Sequence, residues 1–415
     1  MTKIASRAGS QLKLLSCLTI GLLSLQTQAS GFRVPEISTT GMGLSNALVA
    51  NKDEAGAMAY NPAIMAFQDD HTFQIGATTI GYKLSVTPTG GSKTDSTAKD
   101  LFVIPNAFLS ARSSENVTFG LAMNSPFGLE TRWPKDTFPP FNHSATVDGS
   151  EPEHSKINMI NVNPSVAIKM DKKTSVALGV MFYDVNSLVF SSQSTDITGS
   201  GSGFGWNLAM LHTTKNWDFG LSYKSNVTTN LNGNLASSSY SFPASSSIEF
   251  PDMLQLGLLY RFTNNFNMEF DIERTGWSSF DKIVIEYKNT SGQQTITSNS
   301  NWSNVLAYRL GATYEISDNT RLRFGYSLDD TPQSEAWFSA RTPGNDRQLF
   351  SIGVGHDFGN WTLDVSYMRV EVDTRTINSS VILGVDRSEA NGTNAYNGTY
   401  ESDINLFGLG ISTTF

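Results

Sequence analysis

The sequence predicts an all-β fold: a fourteen-stranded antiparallel transmembrane β-barrel with an N-terminal hatch, or plug, in its lumen. Three observations carry this. From residue 71 to residue 415 the chain alternates apolar residues with small or polar ones. Along that stretch very short turns alternate with long polar loops. Residues 30–70, ahead of it, do not alternate.

Residues 1–29 read as a secretory signal. Lys3, Arg7 and Lys13 form a basic start, Leu14–Leu25 an apolar run of 12 residues, and Thr27-Gln28-Ala29 a small-residue cleavage site. The run is too short and badly flanked for a spanning helix. Cys17 is the sole cysteine and leaves with the signal, so the mature chain has no disulfide, thiolate nucleophile or cysteine metal site. Three of the 29 basic residues and none of the 38 acids lie in 1–29, leaving 26 bases against 38 acids and a mature net charge of −12. An acidic chain without a basic cluster argues against nucleic acid as a partner. Mean hydropathy is −0.21, and no later apolar run is long enough for a helical span.

Residues 30–70 hold small residues and short helical fragments around Asn61-Pro62-Ala63. Their apolar residues, among them Val34, Ile37, Leu44, Leu48 and Met65, favour a folded plug. A disordered tail would be more polar.

The barrel reading covers 71–415. Trp361, Leu363, Val365 and Tyr367 alternate with Thr362, Asp364 and Ser366; Leu322, Phe324, Tyr326 and Leu328 alternate with Arg321, Arg323, Gly325 and Ser327. The non-aliphatic face is rich in Gly, Ser, Asn and scattered charge, which fits a polar lumen inside a lipid-facing wall. Short turns fall at Ser113–Asn116, Asp171–Lys173, Thr214–Asn216, Thr263–Asn265, Ser317–Asn319 and Gly359-Asn360. Long loops centre near 92, 140, 198, 238, 295, 338 and 390, so six turns and seven loops make fourteen strands with both ends on the short-turn side. The greasy register of the first strand changes between Phe73/Ile75/Ala77 and Ile80/Tyr82/Leu84, which reads as a bulge near Thr78-Thr79. In the last strand, Ile404–Phe415, the pattern puts Phe407, Leu409, Ile411 and Phe415 toward lipid and Gly408 and Gly410 toward the plug.

The five histidines (His71, His143, His154, His212 and His356) are scattered, and no Ser/His or Asp/His pair sits at a suggestive spacing, so neither an enzyme nor a metal centre is expected.

The whole mature chain resembles the FadL/TodX family of outer-membrane transporters for long-chain fatty acids and hydrocarbons. The opening Gly31-Phe32, then Gly41-Met42-Gly43, Asn61-Pro62-Ala63, the Trp-Ser element in Asp271–Asp281, and Tyr308-Arg309-Leu310-Gly311 through Asp330-Thr331-Pro332 to Pro343-Gly344-Asn345-Asp346-Arg347 carry the resemblance. It implies a hatch inside the barrel and passive import of hydrophobic molecules, long-chain fatty acids first, with neutral hydrocarbons or aromatic compounds as the alternative. It also implies lateral exit at an inward kink of the third strand, a monomer in outer-membrane lipid, and Phe415 as the signal read by the barrel assembly machinery. A general diffusion porin is the rival mechanism.

The residues allow that job to be sketched. A methylene moved from water to an apolar site is worth about 0.8 kcal/mol, so a sixteen-carbon chain represents roughly 12 kcal/mol. Capture then needs apolar surface, which Phe127, Leu129, Trp133, Phe138 and Phe141 offer in one loop, Tyr240, Phe242 and Phe250 in a second, and Trp337 and Phe338 in a third. The other reading is that these rings close the loops against each other. Strand three runs from Val117–Asn124 into Ser125-Pro126-Phe127-Gly128, where Pro and Gly suggest a kink and a gap. Hatch and gate are thus assigned to Asn61, Pro62, Ala63, Ser125, Pro126 and Gly128, and ligand contact to Phe32 and the loop rings. Parity points Lys169, Lys224, Arg261, Arg309, Arg321 and Arg323 inward with several acids. Most should pair with each other or the plug, and Arg309 is the candidate for a substrate carboxylate. Strand five has no Lys or Arg, and its inward Met181 and Tyr183 suit an acyl chain or a neutral hydrocarbon.

Overall fold

The computed structural model describes residues 31–68, 71–138 and 151–415. The signal-peptide reading and the candidate Phe141 lie outside them. Fourteen strands cross the wall, several of them in two segments. They are β1 Thr72–Pro88, β2 Leu101–Arg112, β3 Val117–Asn124 with Gly128–Arg132, β4 Pro152–Lys169, β5 Thr174–Ser192 and β6 Asp196–Thr213. Next come β7 Trp217–Lys224 with Val227–Ala236, β8 Ser241–Phe250 with Met253–Thr263, β9 Phe266–Thr275 with Lys282–Asn289, and β10 Gly292–Asn299 with Val305–Ser317. The last four are β11 Thr320–Asp329, β12 Arg347–Asp357, β13 Thr362–Val372 with Arg375–Ile377, and β14 Gly398–Thr414. The described strands pair antiparallel with their neighbours, and β14 closes on β1 from Thr72↔Thr414 to Pro88↔Gly398. Such closure satisfies backbone groups that lipid cannot. His71 and Phe415 exchange backbone hydrogen bonds where the ends meet.

Alternation sorts the side chains as the sequence requires. Phe407, Leu409, Ile411 and Phe415 are exposed on the outer face. Gly408 and Gly410 face inward, where an added Cβ would lie 2.7 Å from Met42 and 3.0 Å from Thr39. These strands therefore leave room for the N-terminal segment.

Two expectations are corrected. The first strand has no bulge: Thr78 and Thr79 pair in unbroken register with Gly408 and Phe407 on one side and Ile104 and Val103 on the other. Ile80 and Leu84 stay on the inward face and pack against Met42 and Leu406, and against Trp133 and Tyr400. The apolar pattern changes because the lumen becomes apolar there, not because the strand slips. The loops expected near 198, 238 and 295 are continuations of strands. Their turns shrink to residues 193–195, 237–240 and 290–291, because polar residues on both faces still satisfy a hydrogen-bonded ladder.

Residues 31–67 fill the lumen. They contain one helical turn, α1 (Thr39–Gly43), and two 3-10 turns, Ala55–Ala59 and Pro62–Phe67. Ser38 caps α1 by accepting from Gly41 N at 3.0 Å. Asn61 caps the last turn by accepting from Ala63 N at 3.0 Å, with Pro62 in the position where a missing N–H costs nothing. The Asn61 amide also donates to Val49 O at 2.7 Å and to Met210 O of β6 at 3.0 Å. Small inward residues Ala122, Ala167, Ala177 and Ala209 let Ile64, Met65 and Leu48 seat in one cluster. At Gly220 a Cβ would fall 2.1 Å from Val49 O, so only glycine admits this approach. Asn61→Ala is expected to lose the cap and both tethers, destabilising the segment by about 1–2 kcal/mol. Faster backbone exchange over 49–67 with the barrel unchanged is the check; unchanged exchange refutes the role.

Candidate functional site

Several strands break at one level of the barrel, at residues 125–127, 225–226, 251–252, 276–281 and 300–304. The breaks release side chains from strict alternation and turn them inward. Phe127 comes from the β3 break, Trp277 and Phe280 from β9, and Trp302 from β10, while Phe250 ends the upper part of β8. Together they box in Phe32, whose ring centroid lies 4.7 Å from Trp277, 5.3 Å from Phe280, 5.6 Å from Trp302, 6.1 Å from Phe127 and 6.3 Å from Phe250. Met159, Met181, Tyr183, Val185 and Met253 complete the chamber, with Leu129 packed on its edge. Trp277 Nε1 is buried there and donates to nothing in the described chain. This is a carbon-lined chamber now occupied by a side chain of the N-terminal segment.

The wall is open beside it. Among the described residues β2 pairs with β3 from Ala107↔Met123 to Arg112↔Thr118, so Leu101–Asn106 has β1 on one side and no described strand on the other. On β4, Asn124 faces Asn161 and Gly128 faces Asn158, so three residues of β3 oppose two of β4. That extra residue is a bulge, and the strand bends there. The bend is held by the N-terminal segment. Val34 N donates to Pro126 O at 2.9 Å and Gly128 N to Phe32 O at 3.0 Å.

Below the chamber most of the charges are paired, while Lys224 donates to Ala59 O at 3.3 Å. Glu54 accepts from Arg323 Nε at 2.9 Å and Nη2 at 2.8 Å, with Arg321 at 3.4 Å; Arg323 also donates to Asp364 at 2.7 Å. Asp53 and Asp218 share Arg261 at 2.8 Å and 2.5 Å. Glu269 accepts from Val49 N at 2.6 Å and Ala50 N at 2.5 Å, and Asp271 from Leu48 N at 2.9 Å. Arg33 pairs with Glu273. The acids thus serve the segment's backbone and cations, as expected of most inward charges. Arg309, the candidate for a substrate carboxylate, is held in the same way. Its side chain is fully buried and pairs with Asp329 at 3.0 Å and Glu273 at 3.4 Å, so a substrate carboxylate would have to displace two acids.

Other candidates also separate. Phe32, Phe127, Leu129, Met181 and Tyr183 meet in or beside the chamber, with Ser125, Pro126 and Gly128 at its open side and Asn61, Pro62 and Ala63 in the seat of the segment. Trp133 is elsewhere. Its Nε1 donates to Ala340 O at 2.8 Å, and it packs with Phe138, Phe338 and Tyr400 in a cap over the outer mouth. There the rings close loops against each other. Tyr240 and Phe242 stack at 5.1 Å on an outer hairpin, and Phe250 belongs to the chamber. Trp277, Phe280 and Trp302 are lining residues that alternation along the strands does not point to. Their signal is the loss of alternation at Gly276-Trp277 and Asn301-Trp302.

Residues 20–415 match the family described as outer membrane protein transport protein (OMPP1/FadL/TodX). The chain belongs to that family. A long-chain fatty acid transport protein of Salmonella typhi is 24% identical over 402 residues, covering 85% of this chain and 90% of that one. Among solved structures, a Pseudomonas aeruginosa FadL homologue superposes with a TM-score of 0.77 at 19% identity, covering 93% of this chain and 100% of that one. The Pseudomonas putida toluene transporter TodX superposes with a TM-score of 0.66 at 13% identity, covering 90% and 98%. At these identities the structural likeness establishes the barrel. Membership of the FadL/TodX family places this barrel in the outer membrane as a transport protein.

Proposed function

We propose that this protein imports hydrophobic molecules passively across the outer membrane, with long-chain fatty acids as the principal class. The observation that carries the proposal is the aromatic chamber around Phe32 beside the unpaired edge of β2. An acyl chain that enters the chamber replaces Phe32 and recovers the same apolar burial. Phe32 and Val34 also hold the β3 bend, so their withdrawal frees the opening through which the ligand leaves sideways into the membrane. Residues 31–67 are then a hatch. The deeper ion pairs keep it in the lumen while its first residues move.

The chamber's carbon lining also suits neutral hydrocarbons and aromatic compounds, which is the second reading. A general diffusion porin needs a water-filled lumen, and the packed segment speaks against that. Phe415, exposed at the closing strand, is proposed as the assembly signal of a monomeric barrel.

Uptake of labelled oleate and of a neutral hydrocarbon by cells with and without the protein tests the proposal. Unchanged uptake of both, with faster passage of small sugars, would favour the porin. Deleting 31–65 is expected to give an open, ion-conducting barrel, and unchanged conductance would sink the hatch. Removing Pro126 restores equal residue counts between Asn124↔Asn161 and Gly128↔Asn158. That straightens β3 and is expected to lower uptake at least tenfold with the barrel assembled; undiminished uptake would exclude exit at this bend.

A further inference from the structure

Carboxamides line the foot of the wall opening. β2 and β3 pair up to Ala107↔Met123, so Asn106 and Asn124 are the next residues on either side. Both are buried and face inward. Across β3 and β4, Asn124 faces Asn161, whose Nδ2 donates to Asn124 Oδ1 at 3.1 Å. Gln74 of β1 faces Phe108, one inward step below Asn106. The row marks a boundary. Above it Tyr183, opposite Asn161, belongs to the aromatic chamber. Below it Phe108 and Ala122 belong to the apolar seat of the N-terminal segment.

These amides are sealed from water and largely without partners. Gln74 and Asn106 are each 1% exposed, yet neither end of either amide bonds to any group among the described residues. Asn161 Oδ1 is in the same condition. So is Thr39 Oγ1 of α1, which sits against the row: a Cβ on Gly76, opposite Asn106, would lie 3.1 Å from both Thr39 Oγ1 and Asn106 Oδ1. Buried amides are normally bonded, because leaving water without a new partner is costly. The N-terminal segment lies over this region: Val34 N bonds to Pro126 O, and Thr78 Oγ1 donates to Glu36 O at 3.4 Å.

We propose that Asn106, Asn124, Asn161 and Gln74 form a station for the carboxyl head of a departing long-chain acid, uncovered when Phe32 and Val34 withdraw. This rests on the transport reading above. A hydrocarbon tail crosses a carbon-lined gap without loss, but a carboxyl group that leaves water needs a hydrogen-bond partner. Amide N–H groups donate to a carboxylate, and amide oxygens accept from the protonated acid, so the row serves either form. The row carries no charge, while Arg309 and Arg323 are committed to acids. A neutral host holds the head less tightly than a guanidinium would, which suits a site that must release its ligand. The row therefore lowers the barrier for acids and is indifferent to hydrocarbons.

The test is initial uptake of radiolabelled palmitate and hexadecane by cells producing the full chain. Asn106→Leu is expected to lower palmitate uptake about tenfold and to leave hexadecane uptake unchanged. Asn161→Leu should act in the same direction. Equal losses for both compounds, or no loss for palmitate, overturns the station; the second result would leave the amides to bound water alone. If neither Leu variant assembles, Asn106→Asp, of the same shape, decides by the same ratio. Uptake of hexadecane without palmitate by the intact protein also overturns the station. Uptake of neither by the intact protein refutes the transport reading itself.

Discussion

Phe32→Ala is expected to bind a fluorescent long-chain fatty acid more tightly than the parent protein, by up to roughly a hundredfold. Five aromatic rings surround Phe32. Truncating a buried phenylalanine typically costs about 3–5 kcal/mol. That cost falls on the seated N-terminal segment, which under the proposed function the ligand has to displace. Apparent affinity is reduced by the fraction of protein that cannot bind, so destabilising the seated state raises it. Titration of purified protein measures the change. Unchanged or weaker binding, with the barrel intact, would mean that the ligand does not take the place of Phe32.

Glu54→Gln is expected to raise ion conductance through reconstituted protein on the order of a hundredfold in the population of unseated hatch. Glu54 receives two bonds from Arg323 and one from Arg321. Losing one partner of a buried pair costs about 3–5 kcal/mol, and the lower end applies here because Asp364 still holds Arg323. Asp364→Asn is the control. It removes a contact within the wall and leaves Glu54 bound to Arg323, so its conductance should change less. Equal conductance for Glu54→Gln and the parent would show that this pair does not retain the hatch. Phe32 and Glu54 belong to separate clusters, so their effects should add within about 0.5 kcal/mol.

Most of the wall was legible because a strand has a period of two and a barrel has a greasy outside. Parity placed Phe407, Leu409 and Ile411 outward and Lys224, Arg261 and Arg323 inward. It failed where both faces are apolar. Ile80 and Leu84 looked like a slipped register because the sequence does not say that loops cover that part of the lumen. Parity also cannot name a partner. Arg309 points inward as expected, yet Asp329 and Glu273, from two different strands, already hold it. Trp133 and Phe127 lie six residues apart in one stretch of sequence, but one caps the mouth and the other lines the chamber.

The sequence by itself determined the class of molecule: an exported chain, fourteen alternating strands, a non-alternating N-terminal segment and a closing strand ending at Phe415. Those features are local, written in periodicity, turn chemistry and composition. Only the tertiary structure decided that five strand interruptions share one level, that their rings converge on Phe32, and that Glu54 of the N-terminal segment meets Arg323 of the wall. Such contacts join residues far apart in the chain. They are fixed by barrel closure and by what fills the lumen, and no window of sequence contains both partners.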